Sequence, residues 1–271
     1  MPVVFWLQIP KTMQFDHTSG KIVSIDDADL YYETKGNPSN PILLLLHGGG
    51  GTIEDFNPVV EYLSRYVYLI GLDSRGHGRS SAGSEPLTYE RLQHDVEIFI
   101  SQARIGKVCI LGFSDGGIVG YRIAIEKKVK IEHLITIGGT WSHEDVTSQK
   151  DLFEGFTVDR WKELMPRTFE IYADYFPDLD METHLEKIKK MWLDISDSGY
   201  PDNKVGQIKC QTLVVRGDQD HMFSRQSAVR LCESINDSIF YNMPFAGHGV
   251  IQEQKQAFLD VFCTFLRLRK K

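Results

Sequence analysis

Short, almost wholly apolar runs recur along this chain, and they constrain its fold more than any other feature. "PILLLLHGG" (41–49), "YVYLIGLD" (66–73), "KVCILGFS" (107–114), "IEHLITIGG" (131–139) and "CQTLVVRGD" (210–218) lack the alternation of a half-buried strand. Each predicts a strand covered on both faces. "SIFYNMP" (238–244) reads as a last short strand. "ADLYYETKG" (28–36) alternates and suits a sheet edge, with "GKIVSID" (20–26) as its hairpin partner. Helical spacing appears at 88–104, 116–127 and 225–234, and in a final helix where Phe258, Leu259, Phe262, Phe265 and Leu266 share one face. Strands alternating with helices predict an α/β fold, a mostly parallel sheet of about eight strands flanked by helices.

One stretch interrupts that alternation. Residues 141–207 carry helical pieces near 159–176 and 181–195 and no convincing strand. An insertion at this point predicts a helical cap over the carboxyl ends of the strands, where open α/β sheets bind ligands. The expected division is a core of 1–140 and 208–271 with a cap of 141–207. Trp141, Trp161, Phe169, Tyr172 and Trp192 are candidates to line an apolar pocket beneath it.

Composition narrows the partners. A net charge of −7 disfavours generic nucleic-acid binding, which depends on excess Lys and Arg. The basic end "RLRKK" reads as the last turn of a helix, where cations suit the dipole. The start "MPVVFWLQIP" lacks the basic region and cleavage site of a signal peptide. No apolar run approaches the ~20 residues of a membrane span. The 4 cysteines show no CxxC pair or metal spacing. The expectation is a cytoplasmic protein acting on a small-molecule substrate, with no membrane or nucleic-acid partner.

Chemistry enters at "ILGFSDGGIVG" (110–120), where an apolar strand turns into a helix at Ser114 between glycines. Gly-x-Ser-x-Gly at such a corner is a nucleophile elbow. The glycines let strand and helix approach closely, and the helix aims N–H groups at the spot where acyl transfer develops negative charge. A plain serine N-cap is the competing explanation. A serine nucleophile needs a base and an acid to orient it, later in the chain in the order Ser, acid, His. "FAGHG" supplies His248, and "GDQD" supplies Asp218 or Asp220. "HGGGG" (47–51) is no phosphate loop, because no Gly-Lys-Ser/Thr follows it. No cofactor and no metal are expected.

Together "HGGGG", "LDSRGHGRS" (72–80), "GFSDGG", "GDQDHMF" and "AGHG" resemble the α/β-hydrolase superfamily over nearly the whole chain. That resemblance implies Asp220 as the acid, with Asp218 supporting the turn. It implies oxyanion donors in the backbone N–H groups of Gly49 and Asp115, glycine being required at 49 because bulk would block the substrate. His47 reads as a loop brace and not a base, Asp73, Arg75 and His77 as fixing a neighbouring loop, and His221, where the family often has proline, as loop packing and not a second base. A serine elbow disfavours the dehalogenases and epoxide hydrolases of the fold, which use aspartate there. Esterases, lactonases, thioesterases, carbon–carbon bond hydrolases, perhydrolases and acyltransferases remain, as does a non-catalytic receptor. "GFSDGG" is similar to the elbow of the biphenyl-hydrolase-like branch, in which the aspartate binds the α-ammonium of amino-acid esters. The plainer account of Asp115 is a carboxylate favoured at a helix N-terminus. The reading is therefore a serine hydrolase of carboxylic esters, α-amino esters among the options, with Asp115, Gly48 and Trp141 as candidate substrate contacts.

Overall fold

The computed structural model describes residues 13–268. "MPVVFWLQIP" and the last residues of "RLRKK", 269–271, lie outside them. Strands β1 (Lys21–Ile25), β2 (Ala28–Lys35), β3 (Ile42–Leu46), β4 (Tyr68–Leu72), β5 (Val108–Phe113), β6 (Ile131–Ile137), β7 (Gln211–Gly217) and β8 (Ser238–Met243) form one sheet. Among the described residues it has eight strands, ordered β1-β2-β4-β3-β5-β6-β7-β8. β1–β2 and β2–β4 pair antiparallel, and every later pair is parallel. The alternating stretch at 28–36 is not the edge. β2 lies second, and β1 takes the edge through a two-residue turn in which Asp26 adopts φ 51°.

Helices α1 (Asn57–Leu63), α2 (Tyr89–Gln102), α3 (Asp115–Glu126), α8 (Arg225–Ser234), α9 (Val250–Glu253) and α10 (Lys255–Phe265) cover the sheet. The strands feed two apolar layers. One includes Leu44, Leu46, Ile110 and Leu134 with residues of α2, α3 and α8; the other includes Leu43, Leu45, Leu111 and Ile135 with residues of α1 and α10. That two-sided burial is why those runs contain so little polar chain. α10 buries Phe258, Leu259, Phe262 and Phe265, as its spacing requires. It stops at Phe265, and Arg267 turns to φ 53°, so Arg267 follows the helix and does not complete it.

β4 and β5 lie on opposite sides of β3, so the strand order reverses there. The loops leaving β3 and β5 flank the crevice that this reversal opens. Between β6 and β7 runs a helical insertion: α4 (His143–Glu154), α5 (Val158–Leu164), α6 (Pro166–Tyr175) and α7 (Met181–Trp192), then a 3-10 turn at Asp202–Gln207. The single helix expected over 159–176 is two. Met165 precedes a proline and leaves the helical region at φ −134°, ψ 60°, and Pro166 opens α6. No helix among the described residues is long and apolar enough to cross a membrane.

An ionic knot, buried at His17 and Asp73, ties the insertion to the core. His17 bonds Asp73 Oδ2 through Nε2 and Glu54 Oε1 through Nδ1, both at 2.8 Å. Arg167 of α6 reaches the same Glu54 at 3.0 Å, and the Tyr175 hydroxyl donates to the His17 carbonyl at 2.7 Å. Burial opposes charge on His17, but its hydrogen bonds to Asp73 and Glu54 override that and push its pKa up to about 9. The resulting stabilisation is complete below the ordinary histidine value near 6.5 and is lost as pH rises through about 9. The melting temperature should therefore fall between about pH 7 and 9.5, and fall less in His17→Gln, which should already be less stable at pH 6.5. Parallel melting curves for the two proteins across that range would contradict it.

Candidate active site

At the β5–α3 corner Ser114 adopts φ 50°, ψ −115°, the left-handed side that non-glycine residues avoid. Its side chain makes no capping bond to the helix, so the N-cap explanation does not hold. Its N–H donates to Ile137 O at 2.7 Å, and its carbonyl accepts from Gly117 N at 2.8 Å. A Cβ on Gly112 would run into the Gly116–Gly117 peptide, and one on Gly116 would strike the Leu46 and His47 carbonyls. Glycine is required at both places because backbone already fills the space. Asp115 opens α3, so its N–H is one of those a helix leaves without an internal partner.

His248 stands beside this corner. Its ring lies 5.1 Å from that of Phe113, and a Cβ on Gly138, itself at φ +64°, would sit 2.7 Å from His248 Cε1. A Cβ on the next residue, Gly139, would sit 3.3 Å from the Ser114 carbonyl, so this glycine pair threads between serine and histidine. His248 Nδ1 bonds Asp220 Oδ2 at 2.9 Å, which leaves Nε2 as the nitrogen able to accept a proton. Asp220 Oδ1 accepts from the N–H groups of Met222 and Phe223 at 2.8 and 3.1 Å. Burial works to raise the pKa of Asp220, but the bond and charge of His248 and those two N–H groups outweigh it and hold the carboxyl low. Asp218 faces away. It pairs with Arg225 and accepts from Asn242 Nδ2, and its side chain is 38% exposed. His221 is exposed, so the packing expected of it does not occur.

Across the crevice, Gly48–Gly51 forms a turn closed by Gly51 N–H to Gly48 O at 3.1 Å, with Gly50 at φ +71°. The closing bond leaves the N–H of Gly49 unused, as a β-turn does with its second residue. Gly48 approaches the nucleophile: a Cβ there would lie 3.1 Å from Ser114 Cβ. His47 braces the turn with both ring nitrogens, Nδ1 to Gly48 O at 2.8 Å and Nε2 to Ser74 N at 2.9 Å. Nothing remains on that ring for proton transfer, and burial holds its pKa below the usual value. Gly49 has a reason to be glycine besides the expected one. A Cβ there would meet the Asp115 carboxylate and the Trp192 indole, before any substrate is considered.

Two candidate substrate contacts already have partners within the protein. The Asp115 carboxylate is buried and already bonded at each oxygen: Oδ1 accepts from Tyr89 OH at 2.9 Å and Oδ2 from Trp192 Nε1 at 2.8 Å. Burial pushes its pKa up to about 6 against those two bonds and the nearby His248 charge. Trp141 does not turn toward the elbow. Its indole donates to Ser227 Oγ at 2.9 Å on α8, and it borders a surface cleft with Ser142, Glu144 and Arg230. Sequence reasoning passed over Tyr89, Gly138 and the docking of Trp161 on the Gly50 carbonyl at 2.9 Å. Only the glycine pair ending "ITIGG" gave a local signal.

Known proteins share this arrangement of elements. Serine hydrolase BPHL of Homo sapiens is 27% identical over 243 residues, covering 86% of this chain and 81% of that protein. A 2-hydroxy-6-oxo-6-(2'-aminophenyl)hexa-2,4-dienoic acid hydrolase of Metapseudomonas resinovorans is 26% identical over 254 residues, 87% of this chain and 86% of its own. The crystal structure of the enol-lactonase from Burkholderia xenovorans superposes with a TM-score of 0.70 at 24% identity, covering 91% of this chain and 100% of that one, a likeness of fold. The pattern of the alpha/beta hydrolase family matches residues 43–261. With most of its length matched, the chain belongs to the alpha/beta hydrolase family and is a serine hydrolase of the esterase-like type.

Proposed function

We propose that the protein hydrolyses a small carboxylic ester through an acyl-enzyme on Ser114. Ser114 Oγ attacks the carbonyl carbon while His248 Nε2 takes its proton, and Asp220 holds the imidazole tautomer and stabilises the imidazolium. The tetrahedral oxyanion accepts hydrogen bonds from the N–H groups of Gly49 and Asp115. Collapse breaks the ester C–O bond, and His248 returns the proton to the departing alcohol. Water then attacks the acyl-enzyme by the same route, releasing the acid and restoring Ser114. The observation that carries this reading is the His248–Asp220 pair at 2.9 Å beside a serine held at φ 50°.

Residues 141–207 act in this proposal as a lid over the crevice, on a core of 1–140 and 208–271. Trp161 and Trp192 support it by reaching the Gly50 carbonyl and the Asp115 carboxylate. A reducing, cytoplasmic setting belongs to the same reading; no disulfide forms among the described residues. Recognition of an α-ammonium by Asp115 does not, because both of its oxygens serve Tyr89 and Trp192.

Ser114→Ala and His248→Ala should each lower ester turnover by on the order of 10⁴ with the fold intact. Ser114→Ala that keeps most of its turnover and still labels with a fluorophosphonate would refute the acyl-enzyme. Asp220→Asn should cost far more rate than Asp218→Asn, since only Asp220 meets His248; the opposite ranking reassigns the acid. An α-amino ester should be cleaved no better than its des-amino analogue. A strong preference for the amino ester, abolished in Asp115→Ala, would return that carboxylate to substrate binding.

A further inference from the structure

Two indole N–H groups of the helical insertion end on the two segments that carry the oxyanion donors. Trp192, the last residue of α7, donates to Asp115 Oδ2 at 2.8 Å. Trp161, on α5, donates to the Gly50 carbonyl at 2.9 Å. Both bonds are buried. Asp115 follows β5 and Gly50 follows β3, so the indoles touch the crevice from both sides. Trp192 also spans it, because a Cβ on Gly49 would lie 2.7 Å from its Nε1.

The surrounding bonds make the contact directional. Tyr89 of α2 holds the other oxygen of Asp115, and the Tyr200 hydroxyl lies 3.4 Å from that of Tyr89 while donating to the Trp192 carbonyl at 2.8 Å. Asp115, Tyr89, Tyr200 and Trp192 thus close a ring that joins α3, α2 and the end of α7. The opposite wall needs an outside support more. Gly48–Gly51 is a run of glycines with the widest backbone freedom of any residue, and its second donor position, Gly49, has no side chain to anchor it. A buried indole has a fixed N–H direction and few rotors, which suits it to hold a loop in register.

We infer that Trp161 and Trp192 are positioning residues that set the spacing of the Gly49 and Asp115 N–H groups, so that the oxyanion site is complete only with the insertion seated on the core. This rests on the reading of those two N–H groups as oxyanion donors. Seating the insertion over a bound ester would then assemble the site, which couples capture of the substrate to its activation.

The test uses Trp161→Phe and Trp192→Phe, which keep a ring and delete the N–H. Each variant is assayed on a short p-nitrophenyl ester and titrated with a trifluoromethyl ketone, which adds to the serine as a tetrahedral oxyanion. Removing a whole oxyanion donor costs roughly 10²–10³ in kcat, so loosening one should cost about 10- to 100-fold, with KM little changed. Affinity for the ketone should fall by the same factor as kcat/KM. Folded variants with wild-type kcat, or with KM raised and kcat intact, would reduce the indoles to packing and overturn the inference. Should Trp192→Phe fail to fold, Trp161→Phe carries the test alone, since it touches no buried carboxylate. Ser114→Ala in the same assay separates the two readings. An active Ser114→Ala removes the acyl-enzyme itself, whereas an inactive one beside wild-type tryptophan variants removes only this inference.

Discussion

The backbone of Ser114 is the constraint around which the rest of the molecule is arranged. A non-glycine residue in that region costs on the order of 1–3 kcal/mol, and it persists only where its surroundings over-determine it. Here they do. Ile137 O and Gly117 N–H fix the peptides on either side, and the Gly116 N–H donates to the His47 carbonyl at 3.1 Å, which ties the start of α3 to the end of β3. One corner therefore sets the distance between the loop after β5 and the loop after β3. The sheet's reversal point supplies the crevice, and this corner supplies its dimensions.

Those loops are held by polar groups that take no part in the proposed chemistry. Asp73 accepts from Ile53 N, Arg79 N and His17 Nε2, which fastens the loop after β4 to the turn after β3 and to the segment before β1. Arg75 grips Asp95 with two bonds of 2.8 Å and Asp27 with one of 2.5 Å. Buried ion pairs of this kind are weak evidence for stability, because desolvation consumes much of their attraction. Their geometric effect is clearer: Asp73 and Arg75 are each aimed by several partners, which fixes the loop they sit on. "DSRGHGRS" carries Asp73 and Arg75 two residues apart, so one short stretch anchors the loop from both of them.

What was legible in the sequence follows from how local each determinant is. Strands buried on both faces announce themselves, and so does a serine between glycines at a strand end. α4 was not singled out, since a short amphipathic helix rich in charge resembles any exposed segment. The break at Pro166 was written in the chain but was smoothed over by helical spacing on both sides. Asp218 and Asp220 could not be told apart by spacing, because the difference between them is which way a turn faces. Trp141 and Trp192 looked alike for a similar reason. Which aromatic of an insertion meets the elbow depends on how its helices lie against the core, and helical period does not encode that. Trp141 found Ser227 and Trp192 found Asp115.

Asp115 shows what this arrangement costs. An exposed aspartate at the start of α3 would gain from the helix dipole with no further help. This one is buried, and moving a carboxylate out of water carries a penalty of several kcal/mol. Two donors and the helix end offset that only in part, which is why its pKa stands at about 6. The folded chain binds a proton there more tightly than the unfolded chain does. Ionisation therefore works against the fold, in full above about pH 6 and not at all below the ordinary carboxylate value near 3.9. A residue kept for stability alone would not be placed under that penalty. The carboxylate instead gives Trp192 an acceptor that no shorter or neutral aliphatic side chain could provide, beside the Gly49 position where a Cβ has no room. The seating of α7 and the close approach of the two donor segments are thus one interaction, held in place at the expense of stability near neutral pH.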